Sequence, residues 1–110
     1  MPYPPLSIAR KLIKLAEDQF RFGGEKLTNM KLQKLMYYAQ GYHLAAFGER
    51  LFDEDIESWM YGPVVPSVYE HYVQYESNPL PCEETDIKMP AAAENLFNYV
   101  YHFFHNFSAI

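Results

Sequence analysis

Apolar residues recur with the helical period in four segments of the chain, and Pro and Gly residues separate these segments. The first segment follows Pro4-Pro5, and the last begins at Ala91. The longest begins at Thr28, a favourable N-cap residue, and ends before Gly48, which suits the left-handed position after a helix. The pattern therefore predicts a mostly α fold of about four helices.

The segment 28–47 is apolar around most of its circumference, which is typical of a helix at the centre of a domain. We predict that it forms the central helix and that Gly41 lies where another backbone comes close, since Gly in a helix costs roughly 1 kcal/mol relative to Ala. The residues predicted for the core are Leu32, Leu35, Met36, Ala39, Trp59 and Tyr69.

A short β-strand pair is predicted after this helix. Leu51-Phe52 and the run 56–61 flank the acidic turn Asp53-Glu54-Asp55, so we expect two antiparallel strands at about 51–52 and 56–61. Trp59 would be a core anchor of the second strand. Pro66 then suits the first position of a third helix.

Composition indicates one globular domain, residues 1–110, because hydrophobic residues make up 49% and charged residues 21% of the chain. Cys82 is the only cysteine, which excludes an internal disulfide framework and a Cys-rich zinc site. The chain begins without a signal-peptide pattern and contains no run of roughly 18 apolar residues. We therefore expect a cytoplasmic protein with no membrane segment.

The charge is divided unequally along the chain. Residues 1–50 contain eight Lys or Arg and four Asp or Glu, whereas residues 51–110 contain one and ten, respectively. A basic half is one feature of nucleic-acid-binding proteins. The basic residues form no cluster, however, so mutual attraction of the two halves or simple solvation is favoured.

No pattern typical of a catalytic or metal site is present. His102 and His105 could share a helical face, but no third ligand follows at a suitable spacing. The acidic turn lacks the ligand order of a calcium-binding loop, and no phosphate loop or nucleophile elbow occurs. We expect a protein that is not an enzyme and that has no cofactor and no metal.

Three sequence elements carry a family resemblance: a Lys-Leu-Gln-Lys-Leu helix (31–35), a Trp-x-Tyr-Gly-Pro-Val turn (59–64) and a Val-Tyr helix (68–69). In this order and spacing they resemble the Panacea domain family of SocA-like antitoxins and phage-associated GepA-like proteins, well over about residues 6–76 and loosely over the remainder. The resemblance implies an antitoxin that directly binds a toxin encoded beside it and holds the toxin inactive. The alternative is a phage or prophage regulator that binds nucleic acid through the basic first half.

The candidate partner-binding residues lie in a narrow stripe on the central helix and in the turn. They are Lys31, Lys34, Tyr38, Tyr61, Gly62, Pro63 and Val64. The alternative for the stripe is a solvated edge that keeps the central helix soluble. The turn, in which Pro fixes φ and Gly permits unusual conformations, could be a rigid connection or a loop presented to a partner.

The resemblance also implies that family members continue beyond the segment matching 106–109 into a further helix. We therefore expect this chain to lack that helix. Its absence would leave Phe103, Phe104 and Phe107 of the last helix as an apolar patch, and such patches favour association. Self-association through this helix is a second expected interaction.

Overall fold

The mostly α architecture with one short antiparallel strand pair is confirmed by a computed structural model, which describes residues 2–85 and 87–106. The elements in chain order are α1 (Pro5–Phe20), α2 (Asn29–Phe47), β1 (Glu57–Trp59), β2 (Gly62–Val64), α3 (Pro66–Tyr72), a 3-10 turn (Val73–Tyr75) and α4 (Ala91–Phe104).

Both ends of α2 lie where the capping residues predict. The Thr28 hydroxyl accepts a hydrogen bond from the Lys31 backbone N–H at 3.4 Å. At the other end Gly48 has φ +70°, and its N–H donates to the Leu44 carbonyl. A residue with a Cβ is strained in this left-handed conformation, so Gly48 ends the helix.

Helix α2 is the central element, because α1, α3, α4 and β2 all pack against it. The core includes buried side chains from every helix. From α2 it includes Leu32, Leu35, Met36 and Ala39, all predicted core residues. Around them lie Ile8, Leu12, Val68, Tyr72, Phe97, Val100 and Tyr101.

The second half of α2 is more exposed than its apolar sequence predicts. Tyr37, Tyr42, Leu44 and Phe47 are each at least 40% exposed. Helix α4 covers part of this half from one side, with Phe104 packed against Tyr42. Apolar residues around a helix thus indicate burial only where neighbouring elements reach it.

The interpretation of Gly41 was wrong. Apart from the adjacent residues and the backbone of α2 itself, no described atom lies within 4 Å of the place where a Cβ would stand, and the residue is exposed. No other described backbone comes close to Gly41, so packing does not require a glycine at this position.

The predicted position of the strand pair was also wrong in part. Residues 51–52 do not pair with 56–61; Phe52 forms a parallel bridge with Tyr3 instead. The side chain of Gln40 forms hydrogen bonds with the other backbone groups of residues 51–52. Its Oε1 accepts from the N–H groups of Leu51 and Phe52, and its Nε2 donates to the Phe52 carbonyl. With these groups satisfied, the run 56–61 folds back on residues 62–64.

Candidate partner-binding site

The β-hairpin lies against α2 at Lys34. Ser58 pairs with Pro63 and Trp59 with Gly62, so Met60 and Tyr61 form a two-residue loop. Gly62 has φ +122°, and a Cβ there would stand 3.2 Å from Lys34 Nζ. The backbone conformation therefore favours glycine at this position, and a Cβ would also press on the end of the Lys34 side chain.

A chain of buried amide groups attaches the hairpin and α3 to α2. The Val65 N–H donates to Gln33 Oε1 at 2.7 Å, and Gln33 Nε2 donates to Asn29 Oδ1 at 3.0 Å. Asn29 Nδ2 in turn donates to the Tyr69 carbonyl at 3.1 Å. Sequence reasoning missed Asn29 and Gln33, although two amides four residues apart on a largely apolar helix are a usable signal.

Trp59 is not the core anchor that the sequence predicts, because its side chain is 37% exposed. The indole N–H donates to Glu57 Oε1 at 2.9 Å, and the ring meets Tyr69 edge-on with centroids 5.2 Å apart. All three residues of β1, Trp59 included, are exposed. The strand therefore leaves the indole partly open to solvent. Tyr69, also predicted for the core, is half-buried.

Two clefts flank Lys34 and Pro63. The first, which we call the Trp59 cleft, has a volume of about 350 Å³ and is lined by Met30, Gln33, Lys34, Trp59, Tyr61, Pro63, Val64 and Tyr69. The second, the Tyr37 cleft, has about 440 Å³ and is lined by Lys34, Tyr37, Tyr38, Ile56, Glu57, Ser58, Gly62 and Pro63. The fold thus brings six of the seven candidate residues together around one lysine.

Lys31 is the candidate residue that lines neither cleft. Its ammonium group forms an ion pair with Glu25 at 3.0 Å. The hydrogen bond from Lys31 lowers the pKa of the Glu25 carboxyl below its usual value. Lys31 therefore belongs to a local ion pair at the start of α2.

Tyr38 has a packing role in addition to lining the Tyr37 cleft. Its ring stacks on Phe104 of α4, with centroids 3.9 Å apart and an angle of 6° between the planes. Replacing Tyr38 would disturb the contact between α2 and α4, so it is a poor reporter of partner binding.

Ion pairs occupy most of the basic side chains. With described residues as partners, pairs join Arg10 to Glu83, Lys11 to Glu94, Lys14 to Asp18, Lys26 to Glu17, Lys31 to Glu25 and Arg50 to Asp55. The first two connect α1 to the acidic half of the chain. The uneven charge of the sequence is therefore partly compensated within the fold.

The last two residues of α4 are one exposed and one buried phenylalanine. Phe103 is 51% exposed, whereas Phe104 is 8% exposed and packs on Tyr38. Phe107, the third residue of the expected apolar patch, lies outside the described residues. Self-association through α4 stays a prediction.

A metal site and a membrane-spanning helix are both absent from the described part of the chain. Within residues 2–85 and 87–106 no three His, Cys, Asp or Glu side chains are grouped as a metal site requires. None of the described helices is long and apolar enough to cross a membrane.

Comparison with known proteins gives two matches in sequence. The family model described as "Antitoxin SocA-like, Panacea domain" matches residues 32–109, which include most of α2, the hairpin, α3 and α4. The match thus includes the C-terminal segment, for which only a loose resemblance was expected, and it begins after α1.

A curated relative, the protein named "Antitoxin SocA" of Caulobacter vibrioides (strain NA1000 / CB15N), is 38% identical over 61 residues. The aligned part is 56% of this chain and 32% of the relative, so the chain spans about a third of the length of that protein. No solved structure matches the chain.

Proposed function

This chain belongs to the SocA-like antitoxin family that is defined by the Panacea domain, and from this premise we propose that it is an antitoxin that binds a toxin protein directly. The observation that carries the proposal is the family match over residues 32–109. We further propose that residues 1–110 act as one binding module and that neutralisation needs no catalytic step. A phage-associated setting, a likeness to GepA-like proteins and a cytoplasmic location stay predictions.

The surface around Lys34 supports a binding role. Met60 and Tyr61 at the hairpin tip are 90% and 71% exposed, and Trp59 and Tyr37 beside the two clefts are each more than a third exposed. Aromatic residues and Met are enriched at protein interfaces, and Trp and Tyr are common among the residues that dominate binding. We therefore propose the hairpin and the Lys34 face of α2 as the toxin-binding surface.

The nucleic-acid alternative has less support. Binding to DNA depends on cations that are free to neutralise phosphates. Six of the nine Lys and Arg residues form ion pairs with described residues, and the protein has a net charge of −5. A salt titration separates the two functions, because DNA binding would weaken steeply as salt rises.

The test is rescue of bacteria that express the toxin encoded beside this chain. We expect the wild-type chain to restore growth and to co-purify with the toxin, and Lys34→Glu to lose both properties. Lys14→Glu on α1, outside both clefts, is the matched control. Both variants should melt close to wild type, since surface substitutions usually change stability by only about 0.5 kcal/mol.

Four results would count against the proposal. The antitoxin function would be excluded if the product of no neighbouring gene impairs growth, or if the chain does not restore growth that such a product impairs. Rescue by Lys34→Glu as strong as wild type would exclude this surface. If Lys14→Glu lost rescue and co-purification to the same extent as Lys34→Glu, the loss would reflect a general effect of charge and not this surface.

A further inference from the structure

Lys34 differs from the other cations of the protein. Arg21, Lys34 and Lys88 form no ion pair with the described residues, and of these only Lys34 is partly buried. Its ammonium group also has no hydrogen bond to a described residue. A half-buried cation loses part of its hydration, so an unpaired one in a cleft favours an incoming negative charge.

Lys34 lines the Trp59 cleft together with mostly apolar groups. Lys34 is the only charged residue among the described residues that line it, while Met30, Val64 and three aromatic side chains form most of the wall. Gln33 also lines the cleft, and its amide is already engaged with Val65 and Asn29. The cleft thus offers one positive charge, unpaired among the described residues, beside a large apolar surface.

We propose, building on the proposed toxin-binding function, that the Trp59 cleft binds an acidic side chain that the partner protein carries next to an aromatic or aliphatic residue. The partner carboxylate pairs with Lys34 Nζ, and the neighbouring apolar side chain packs against Trp59 and Tyr69. This arrangement supplies the missing counter-charge and covers the exposed indole in one contact. Charge complementarity therefore defines the chemistry of the occupant.

The surroundings of the cleft favour a protein segment over a small carboxylate. The apolar surface continues beyond the cleft onto Met60 and Tyr61, which a small molecule in the cleft would leave exposed. In addition, β2 is the only described strand that pairs with β1, so the outer edge of β1 can accept backbone hydrogen bonds from an extended segment. A nucleic acid is disfavoured because Lys34 is the only cation among the described residues that line the cleft, whereas nucleic-acid binding draws on several cations along the phosphate backbone.

The experiment measures binding of short capped peptides to the whole chain by the NMR shift of the Trp59 indole N–H. The probes are acetyl-Gly-Asp-Phe-Gly-amide, its Asn analogue, and a version with Ala in place of Phe. We expect the Asp-Phe peptide to bind roughly three- to tenfold more tightly than the Asn-Phe peptide, as a partly buried ion pair would give. The Asp-Ala peptide should bind more weakly than Asp-Phe.

The matched variants are Lys34→Met, which keeps an unbranched apolar side chain without the charge, and Lys14→Met, which removes a paired cation outside the cleft. Lys34→Met should abolish the preference for Asp over Asn while keeping the melting temperature, and Lys14→Met should leave the preference unchanged. An equal affinity for the Asp and Asn peptides, or a preference that survives in Lys34→Met, would overturn the inference.

Two further probes decide between classes of occupant. Hydrocinnamate that binds as tightly as the Asp-Phe peptide would mean a small-carboxylate site, and oligo-dT binding that depends on Lys34 would mean a nucleic-acid site; either overturns the inference. If the chain rescues toxin-expressing cells but shows no preference for the Asp over the Asn peptide, the chemistry assigned to the cleft is overturned. The proposed antitoxin function then still stands. A Lys34-dependent preference without rescue overturns the proposed antitoxin function and supports the cleft.

Discussion

Single residues in this protein take their roles from how far the neighbouring elements enclose them. Trp59 stands in a strand that is exposed along its whole length, so its indole covers Tyr69 on one side and faces solvent on the other. Trp59 is thus a largely apolar residue that is partly exposed, whereas Lys34 is a charged residue that the hairpin partly encloses. The partly exposed tryptophan and the partly enclosed lysine together form the candidate site.

The exposure of Trp59 leads to a prediction on stability. Trp59→Ala should lower the free energy of unfolding by only about 1 to 2 kcal/mol, because the loss consists mainly of the aromatic contact with Tyr69 and a partly buried ring. Phe97→Ala, at a residue that is 3% exposed, is the comparison and should cost about 3 to 5 kcal/mol. Urea unfolding of both variants gives the measurement; equal losses would place Trp59 in the core.

At the scale of elements, α2 organises the fold through buried amide groups as well as through apolar contacts. Asn29 and Gln33 hold the start of α3, and Gln40 holds residues 51–52. These side chains form hydrogen bonds with backbone groups of α3, of the residue before it and of residues 51–52. A buried polar group that loses such a partner is costly.

Gln33→Met tests this attachment. The substitution keeps the volume but leaves the buried Val65 N–H without its acceptor, so we expect a loss of about 1 to 3 kcal/mol in unfolding free energy. Gln74→Met, at an exposed position of the 3-10 turn, is the control and should be nearly neutral. Hydrogen exchange should also show faster opening at Val65, and an unchanged rate there would argue against this role for Gln33.

Gly41→Ala tests the open space on α2. Nothing within 4 Å opposes a Cβ and the position lies inside a helix, so the variant should be more stable by about 0.4 to 1 kcal/mol. The melting temperature should rise accordingly. A fall would mean that another backbone does approach Gly41, as the sequence alone suggested.

At the scale of the whole molecule, ion pairs join the basic first half to the acidic second half. Arg10 and Lys11 on α1 reach Glu83 and Glu94, which lie far along the sequence. The end of α4 also comes near the start of α2, where His105 interacts electrostatically with Lys31 and Glu25. Such contacts make the stability of the whole fold depend on pH.

His105 provides the test of this dependence. Burial lowers the pKa of His105, with smaller contributions in the same direction from His102 and Lys31 and an opposite one from Glu25. A base with a lowered pKa binds fewer protons in the folded chain than in the unfolded chain, so stability falls as the pH drops through the ordinary histidine value of 6.5. The melting temperature should therefore decrease between about pH 8 and about pH 5.5, and His105→Gln should reduce this decrease. Parallel curves for the two proteins would exclude His105 as the cause.

The sequence by itself determined the elements whose signals are local. The helical period predicted the helices, while Thr28 and Gly48 marked the ends of α2, because capping depends only on residues within one turn. The motifs at 31–35 and 59–64 also sufficed to indicate the family. These features need no knowledge of what lies across the fold.

Only the tertiary structure decided which apolar residues are buried and which polar groups find partners. Tyr37 and Tyr42 look like the core residues of α2 in the sequence, yet no described element covers them fully. The strand partner of residues 56–61 depended on Gln40 and Tyr3, which occupy the backbone groups of 51–52 from distant positions. Likewise, Lys34 stands out only because the fold pairs most other cations. Burial and pairing are properties of contacts between elements, and a local pattern does not contain them.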